Sequence, residues 1–185
     1  MSKCLNVQIS AQFNTFFAYS SLMVLKGETG TTPGTPPTII PELQNGSIIS
    51  VVYGCSGLSS APHLHDSTSS YFGALTSSGK FLTWGRYSAG ALGLGDPGKL
   101  PLGSPGGYAE EEQRAQAQAG TYDTPPPEVT VPSEVRFDHG LRTGGRVERY
   151  CFAVAAGEWH TGALVVDLMG DEVPPEYLEQ HFEQQ

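Results

Sequence analysis

Cysteine is scarce in this sequence, because the 185-residue chain contains only Cys4, Cys55 and Cys151. A small disulfide-stabilised fold uses an even, closely spaced set of cysteines, and a structural zinc site uses pairs at CxxC spacing. The sequence has neither arrangement. We therefore expect reduced, buried thiols in an intracellular protein, located in the cytoplasm and/or the nucleus.

Basic residues are also few. Lys and Arg number 10 against 19 Asp and Glu, which gives a formal net charge of −9 at pH 7. A surface that neutralises the phosphates of nucleic acid needs clustered positive charge. We expect no nucleic-acid partner, whereas basic protein partners remain open.

Long apolar runs are missing as well. No run approaches the roughly 18 residues that indicate a membrane-spanning helix. The N-terminal stretch MSKCLNVQISAQFNTFFAYS has no basic region followed by an uninterrupted apolar core, so we predict no signal peptide and no membrane partner. Hydrophobic residues still form 38% of the chain, which is enough for a globular core at this length.

Glycine and proline, in contrast, are abundant, with 23 Gly and 14 Pro. This favours many short strands and turns over long helices. Gly90, Gly93 and Gly95 are crowded into GALGLG, which has the reverse order of the GxGxxG dinucleotide fingerprint. The sequence Asp96-Pro97-Gly98 follows where the helix of such a site would begin. We interpret these glycines as turns between strands and predict no cofactor.

Three segments share one outline, which indicates internal repetition. Each has an Ala followed by an apolar or aromatic residue in the same slot: Ala18-Tyr19, Ala74-Leu75 and Ala163-Leu164. Apolar runs of strand length precede the second and third copies, at 47–54 and 149–157. The predicted unit is strand, tight turn, strand, turn, strand. We attribute the small Ala to close packing between neighbouring sheets.

The connections between these units are uneven. Ser77-Ser78-Gly79 predicts a short hairpin in which Gly79 has a positive φ. Two apparent insertions, at about 55–70 and 97–132, interrupt the repeats, and the second is rich in Gly and Pro. Within it, the Glu, Gln, Arg and Ala of 109–119 predict a short helix. The repeats occupy about 1–170, and 171–185 form an acidic tail.

The segment FGALTSSGKFLTWGRYSAGALGLGD resembles the repeat of the regulator of chromosome condensation family. Blades of that family pair an Ala-Leu-Thr strand with a Gly turn, a Trp-Gly strand and a Gly-Leu-Gly exit, and AAGEWHTGALVV is similar to the start of another repeat. The motif positions here are Ala74, Leu75, Gly79, Trp84, Gly85, Gly90, Gly93, Gly95, Gly157, His160, Ala163 and Leu164.

This resemblance implies an all-β fold, a partial β-propeller of about three recognisable blades with long Gly/Pro-rich loop insertions. It also implies a structural role for His160, whose side chain would bond backbone between strands. The first copy departs from the motif, with Gln12 in place of the Gly and Thr15 in place of the His. In the second copy Tyr71 occupies the His slot.

A narrower similarity concerns function. The stretches IIPELQNGSIISVV, LTWGRYSAGALGLGD, PSEVRFDHG and FAVAAGEWHTGALVVDL are together similar to the C-terminal part of fungal F-box proteins of this repeat family, the SCF-associated factors. The similarity implies a protein-interaction propeller that recognises targets for a ubiquitin ligase of the SCF type. The sequence contains no F-box-like helical segment, so contact with the ligase adaptor is expected only through a missing F-box.

Other functions stay open at this point. Some family members are guanine-nucleotide exchange factors for small GTPases, and a secreted or toxin-like propeller is an alternative from another class. About three blades in an open arc would leave sheet faces uncovered. Remaining propeller blades, or self-association, are therefore further expected partners.

No residue set predicts an enzyme. As a general base, His160 would need a nucleophile and an orienting carboxylate. The flanking Glu158 and Thr161 cannot join it on a strand, where successive side chains point to opposite faces. The HLHD stretch at 63–66 has no second group of ligands, so we predict no metal. Arg86, Tyr87 and Trp159 are candidate interaction residues, because Arg, Tyr and Trp dominate interface energies.

Overall fold

The structure is a computed structural model, and it describes most of the chain. The described residues are 6–12, 15–28, 32, 34–56, 69–86, 90–120, 126–137, 148–157 and 160–168.

Short β-strands form nearly all the regular structure within these ranges, which confirms the expected all-β class. A two-turn α-helix and a short 3-10 helix, Pro41–Leu43, are the exceptions among the described residues. The elements are β1 Gln8–Gln12, β2 Thr15–Tyr19, β3 Val24–Glu28, β4 Thr38–Ile39, β5 Ile48–Ser56, β6 Ser69–Thr76, β7 Phe81–Gly85, α1 Glu111–Gln118, β8 Val129–Glu134, β9 Glu148–Ala156 and β10 Thr161–Leu168.

The strands form three antiparallel sheets in chain order. The first sheet has the order β1-β2-β3-β4, the second has the order β5-β6-β7-β8, and the third is the hairpin of β9 and β10. Each sheet is therefore a meander, in which every strand pairs with the next along the chain. The first strands of successive sheets lie together, since β5 contacts both β1 and β9.

The repeated Ala lies at the same position in all three sheets. Ala18, Ala74 and Ala163 are all on the second strand of their sheet. Their partners on the first strand are Ile9, Val51 and Val154 respectively. The internal repeat of the sequence thus corresponds to equivalent positions in the structure.

The second sheet is covered on both faces, which places the core on either side of it. One face packs against the first sheet, where the Phe17 ring lies edge-on to Phe72 and Trp84 at centroid distances of 5.4 and 6.3 Å. On the other face Leu75 packs with Cys151 of the third sheet. Alternation of side chains along β6 produces this division, because Phe72 and Leu75 point to opposite faces.

Cys151 is a free, fully buried thiol. Desolvation by this burial raises the pKa of the Cys151 thiol, as is usual for a structural cysteine in apolar surroundings. The expectation of a reduced, buried thiol is therefore confirmed for this residue. Cys4 lies outside the described residues.

The local predictions of a hairpin and a helix also hold. Gly79 has a φ of 79° in the turn between β6 and β7, and its N–H donates to the Thr76 carbonyl at 3.1 Å. The helix α1 begins two residues later than the expected 109 and ends one residue before 119, with Glu111 and Glu112 in its first turn. None of its residues is buried, so it lies on the surface.

Both expected insertions are shorter than the sequence indicated, because neighbouring strands extend into them. In the first, Cys55 pairs with Ser70 and Ser56 with Ser69, so β5 and β6 extend into the 55–70 segment. In the second, β8 begins at Val129, inside the expected connection 97–132, and adds a fourth strand to the second sheet. Within the described ranges, no helix combines the length and apolarity needed to cross a membrane.

Candidate protein-interaction surface

Two of the singled-out residues, Arg86 and His160, lie at one end of the sheets. Tyr71 marks this end, because it pairs with Gly54 on β5 and with Gly85, the last residue of β7. Arg86 follows directly, and its N–H donates to the Ser70 carbonyl at 3.0 Å.

The Tyr71 hydroxyl joins the second and third sheets at this end. It lies 2.5 Å from the Gly157 carbonyl oxygen and 2.8 Å from the His160 carbonyl oxygen, so its single proton is donated to these two acceptors. The ring passes over Gly54, where a Cβ would overlap it. Glycine is therefore required at 54 for the aromatic ring to reach the next sheet.

The side chain of His160 does not bond backbone between strands. It is exposed, and within the described part of the chain it has no hydrogen-bond partner. The contact between the sheets is carried instead by its backbone carbonyl, which accepts from Tyr71 and from the Gly157 N–H at 2.8 Å. The physical reason is that the Gly157 N–H and the Tyr71 hydroxyl both bond to this carbonyl, so the backbone rather than the imidazole makes the contact.

The glycine-rich exit from β7 forms turns that hold a buried loop. Gly90, Gly93 and Gly95 have φ values of 89°, 66° and 113°. Between them Leu92 is fully buried, and its carbonyl accepts a hydrogen bond of 2.7 Å from the buried Thr83 hydroxyl. These glycines thus allow the chain to fold back onto the second sheet.

Asp96 closes the glycine-rich stretch in the same manner as a turn-capping residue. Its carboxylate accepts from the Gly98 N–H at 3.0 Å. This backbone hydrogen bond, followed by the interaction with Lys99, lowers the pKa of Asp96 below its usual value. The next helix begins only at Glu111.

A groove lies beside the outermost strand of the second sheet. Its volume is about 250 Å³, and the loop 103–109 and the strand β8 line its two sides. The lining is mainly apolar and includes Pro105, Pro127 and the exposed Val131. Sequence reasoning did not find this groove; the alternation of Val129, Thr130 and Val131 was the signal of a strand there.

The candidate interaction residue Arg86 adjoins this groove. Its Nε lies 4.0 Å from Oε2 of Glu128, a residue of the groove lining. Both side chains are substantially exposed, so this ion pair contributes little to stability. Glu128 therefore holds the Arg86 guanidinium only weakly. Tyr87, Trp159 and the HLHD stretch lie outside the described residues.

Comparison with known proteins adds no family assignment. No model of a protein family matches the chain, and no curated protein sequence is significantly similar to it. The observed class is thus a protein of stacked antiparallel β-sheets. The resemblance to propeller repeats rests on the residues quoted above.

Proposed function

We propose that the three sheets are successive blades of a propeller-type scaffold that binds other proteins. The observation that carries this proposal is the equivalence of the first two strands in the three sheets. Each places its repeated Ala on the second strand, and their first strands lie side by side in the order β1, β5, β9. Meanders stacked in this way match the radial repetition of blades.

The binding face in this proposal is the end of the second sheet that carries Arg86 and the groove. Binding sites in rigid β scaffolds are concentrated on connecting loops, and the groove lies between such a loop and an edge strand. An extended segment of a target would lay an apolar side chain against Val131 and Pro105. Glu128 at the rim favours a basic residue beside it, and Arg86 an acidic one.

The proposed role is recognition of target proteins for ubiquitylation, in line with the similarity to F-box propellers. In this role the chain holds the target, and the ligase adaptor is contacted by an F-box rather than by these sheets. The low content of Lys and Arg and the net charge of −9 are consistent with protein rather than nucleic-acid targets.

Affinity purification tests this role. The gene product that carries this chain, tagged and purified from fungal cells with the proteasome inhibited, is expected to recover the ligase adaptor, the cullin and bound targets. Arg86→Glu combined with Val131→Asp should deplete the targets and leave the adaptor and cullin unchanged. Lys80→Glu is the matched control, because Lys80 lies at the opposite end of β7 and pairs with the exposed Glu134.

Two results would contradict the proposal. Recovery of a small GTPase in place of the ligase, with accelerated nucleotide release in vitro, would establish an exchange factor instead. Equal target recovery by the Arg86/Val131 variant and the Lys80 control would remove the groove as the binding face.

A further inference from the structure

The third sheet has an uncovered apolar face. Phe152, Leu164 and Val166 are 49%, 59% and 45% exposed. Their sequence neighbours Cys151 and Val165 pack against the second sheet. Successive side chains on a strand point to opposite faces, so Leu164 and Val166 lie on the face directed away from the second sheet. A register shift leaves Phe152 as an extra residue of β9 opposite the step from Leu164 to Val165, so Phe152 is exposed although Val154, two residues later, packs toward the second sheet.

The first sheet has an uncovered apolar face at the other end of the stack. Ile9 pairs with Ala18, Ala18 with Leu25, and Leu25 with Ile39, so the four residues form one row across all four strands. Ile9 is 70% and Ile39 58% exposed. Phe17, the neighbour of Ala18, packs against the second sheet, so this row faces away from it.

These two faces correspond to the two sides of the sheet-on-sheet contact that the chain makes twice, between the first and second sheets and between the second and third. The row equivalent to Ile9 and Ala18 is Val51 and Ala74 in the second sheet, and it packs against the first sheet. In the third sheet the equivalent row, Val154 with its partner Ala163, packs against the second sheet. In the first sheet, none of the described strands covers this row.

The opposite face of each sheet, which is directed toward the following sheet, shows a matching pattern. The residue after the repeated Ala is buried toward the following sheet in the first two repeats, where Tyr19 is 8% and Leu75 1% exposed. The equivalent residue of the third sheet is Leu164, whose side chain is mostly in solvent. The exposed Leu164 face of the third sheet is thus equivalent to the faces that pack against a following sheet, and it is complementary to the exposed Ile9 row of the first sheet.

We infer that a second copy of this chain binds head to tail, with the Ile9 row of its first sheet on the Leu164 face of the third sheet. The contact continues the stacking already present between the three sheets, with the same side of each sheet toward its neighbour. Exposed contiguous apolar faces of this kind mark association surfaces. The inference does not depend on target binding, because neither Arg86 nor the groove takes part.

A head-to-tail contact joins two different surfaces, so each copy still has one free half after pairing. Such contacts generate closed rings or open filaments, whereas a two-fold contact stops at a dimer. The wild-type chain is therefore expected to form species larger than a dimer as its concentration rises.

Sedimentation velocity of the wild-type chain and two variants tests the inference. Ile9→Asp removes the first-sheet half, and Leu164→Asp removes the third-sheet half. Each substitution is expected to weaken self-association at least about a hundredfold, because it would place an unpaired carboxylate among apolar side chains. An equimolar mixture of the two variants should form a dimer and nothing larger, since each variant keeps the half that the other has lost.

Leu102→Asp is the matched control, because Leu102 is an exposed apolar residue of a loop outside both faces; it should associate as the wild type does. Circular dichroism checks that each variant is folded. If Ile9→Asp is not folded, Ile39→Asp replaces it on the first-sheet face. If Leu164→Asp is not folded, Phe152→Asp replaces it on the third-sheet face. A monomeric wild-type chain would overturn the inference, as would self-association that only one of the two variants abolishes, which indicates a two-fold contact.

Discussion

At the scale of single residues, the Tyr150 ring lies against Gly79 in the β6–β7 hairpin. Gly79→Ala is expected to lower the free energy of unfolding by about 2 kcal/mol or more. Part of this loss, about 1 kcal/mol, comes from an L side chain at a φ of 79°, and the rest from overlap of the new Cβ with the Tyr150 ring. Urea denaturation measures the change.

Gly90→Ala separates these two causes. Gly90 has a φ of 89°, but a Cβ there would meet no atom within 4 Å, so only the conformational cost of about 1 kcal/mol applies. Equal losses for the two alanine variants would show that the Tyr150 contact adds nothing.

Tyr71→Phe addresses the hydrogen bonds between the second and third sheets. The variant keeps the ring over Gly54 but leaves the carbonyls of Gly157 and His160 without this donor, so we expect a loss of about 1–2 kcal/mol. Tyr150→Phe, which removes an exposed bond to the Ser77 carbonyl, should lose less. His160→Ala should stay within about 0.5 kcal/mol of wild type. A loss from His160→Ala that exceeds the loss from Tyr71→Phe would contradict this division of roles.

Sequence reasoning succeeds for these residues where the cause is local. Gly79 is identifiable because a hairpin turn of three residues between two strand patterns needs a positive φ. The role of Tyr71 is not identifiable in this way. Its acceptor on Gly157 lies 86 residues further along the chain, so the contact depends on how two sheets stack, and periodicity does not encode that.

At the scale of elements, the fourth strands were the part that the repeat did not predict. The connections β1–β2, β2–β3 and β6–β7 have two to four residues, whereas residues 86–128 separate β7 from β8. Pro132 lies within β8 and cannot donate to a ladder, so it suits an edge strand and weakens the strand signal. The strand β4 has only two residues, Thr38–Ile39, too few for any alternation to be recognised.

Thr83→Val tests how the glycine-rich loop is held on the second sheet. The variant has a similar shape but removes the buried donor to the Leu92 carbonyl, so a loss of about 1–3 kcal/mol is expected. Hydrogen exchange should accelerate mainly at the amides of 91–95. Thr130→Val, at an exposed position of β8, is the control. Acceleration spread evenly over all strands would show that the loop and the sheet open together.

At the scale of the whole molecule, the second sheet connects the others. Its two faces belong to two separate apolar clusters, one shared with the first sheet and one with the third. Among the placed strands and loops, each outer sheet buries one face, the one toward the second sheet. The stack of described sheets is therefore covered on both faces at its centre and exposed at its two ends. The two exposed end faces are the surfaces of the inferred head-to-tail contact.

Net charge gives the last prediction, which concerns salt. Each copy carries a formal charge of −9, so two copies repel while the contact itself is apolar. The screening length falls from about 30 Å at 0.01 M salt to about 10 Å at 0.1 M. Sedimentation of the wild-type chain at these two NaCl concentrations should therefore show association that is several-fold tighter at the higher one. Leu164→Asp should stay monomeric at both. Weaker association at higher salt would instead indicate that ion pairs, rather than the apolar faces, hold the copies together.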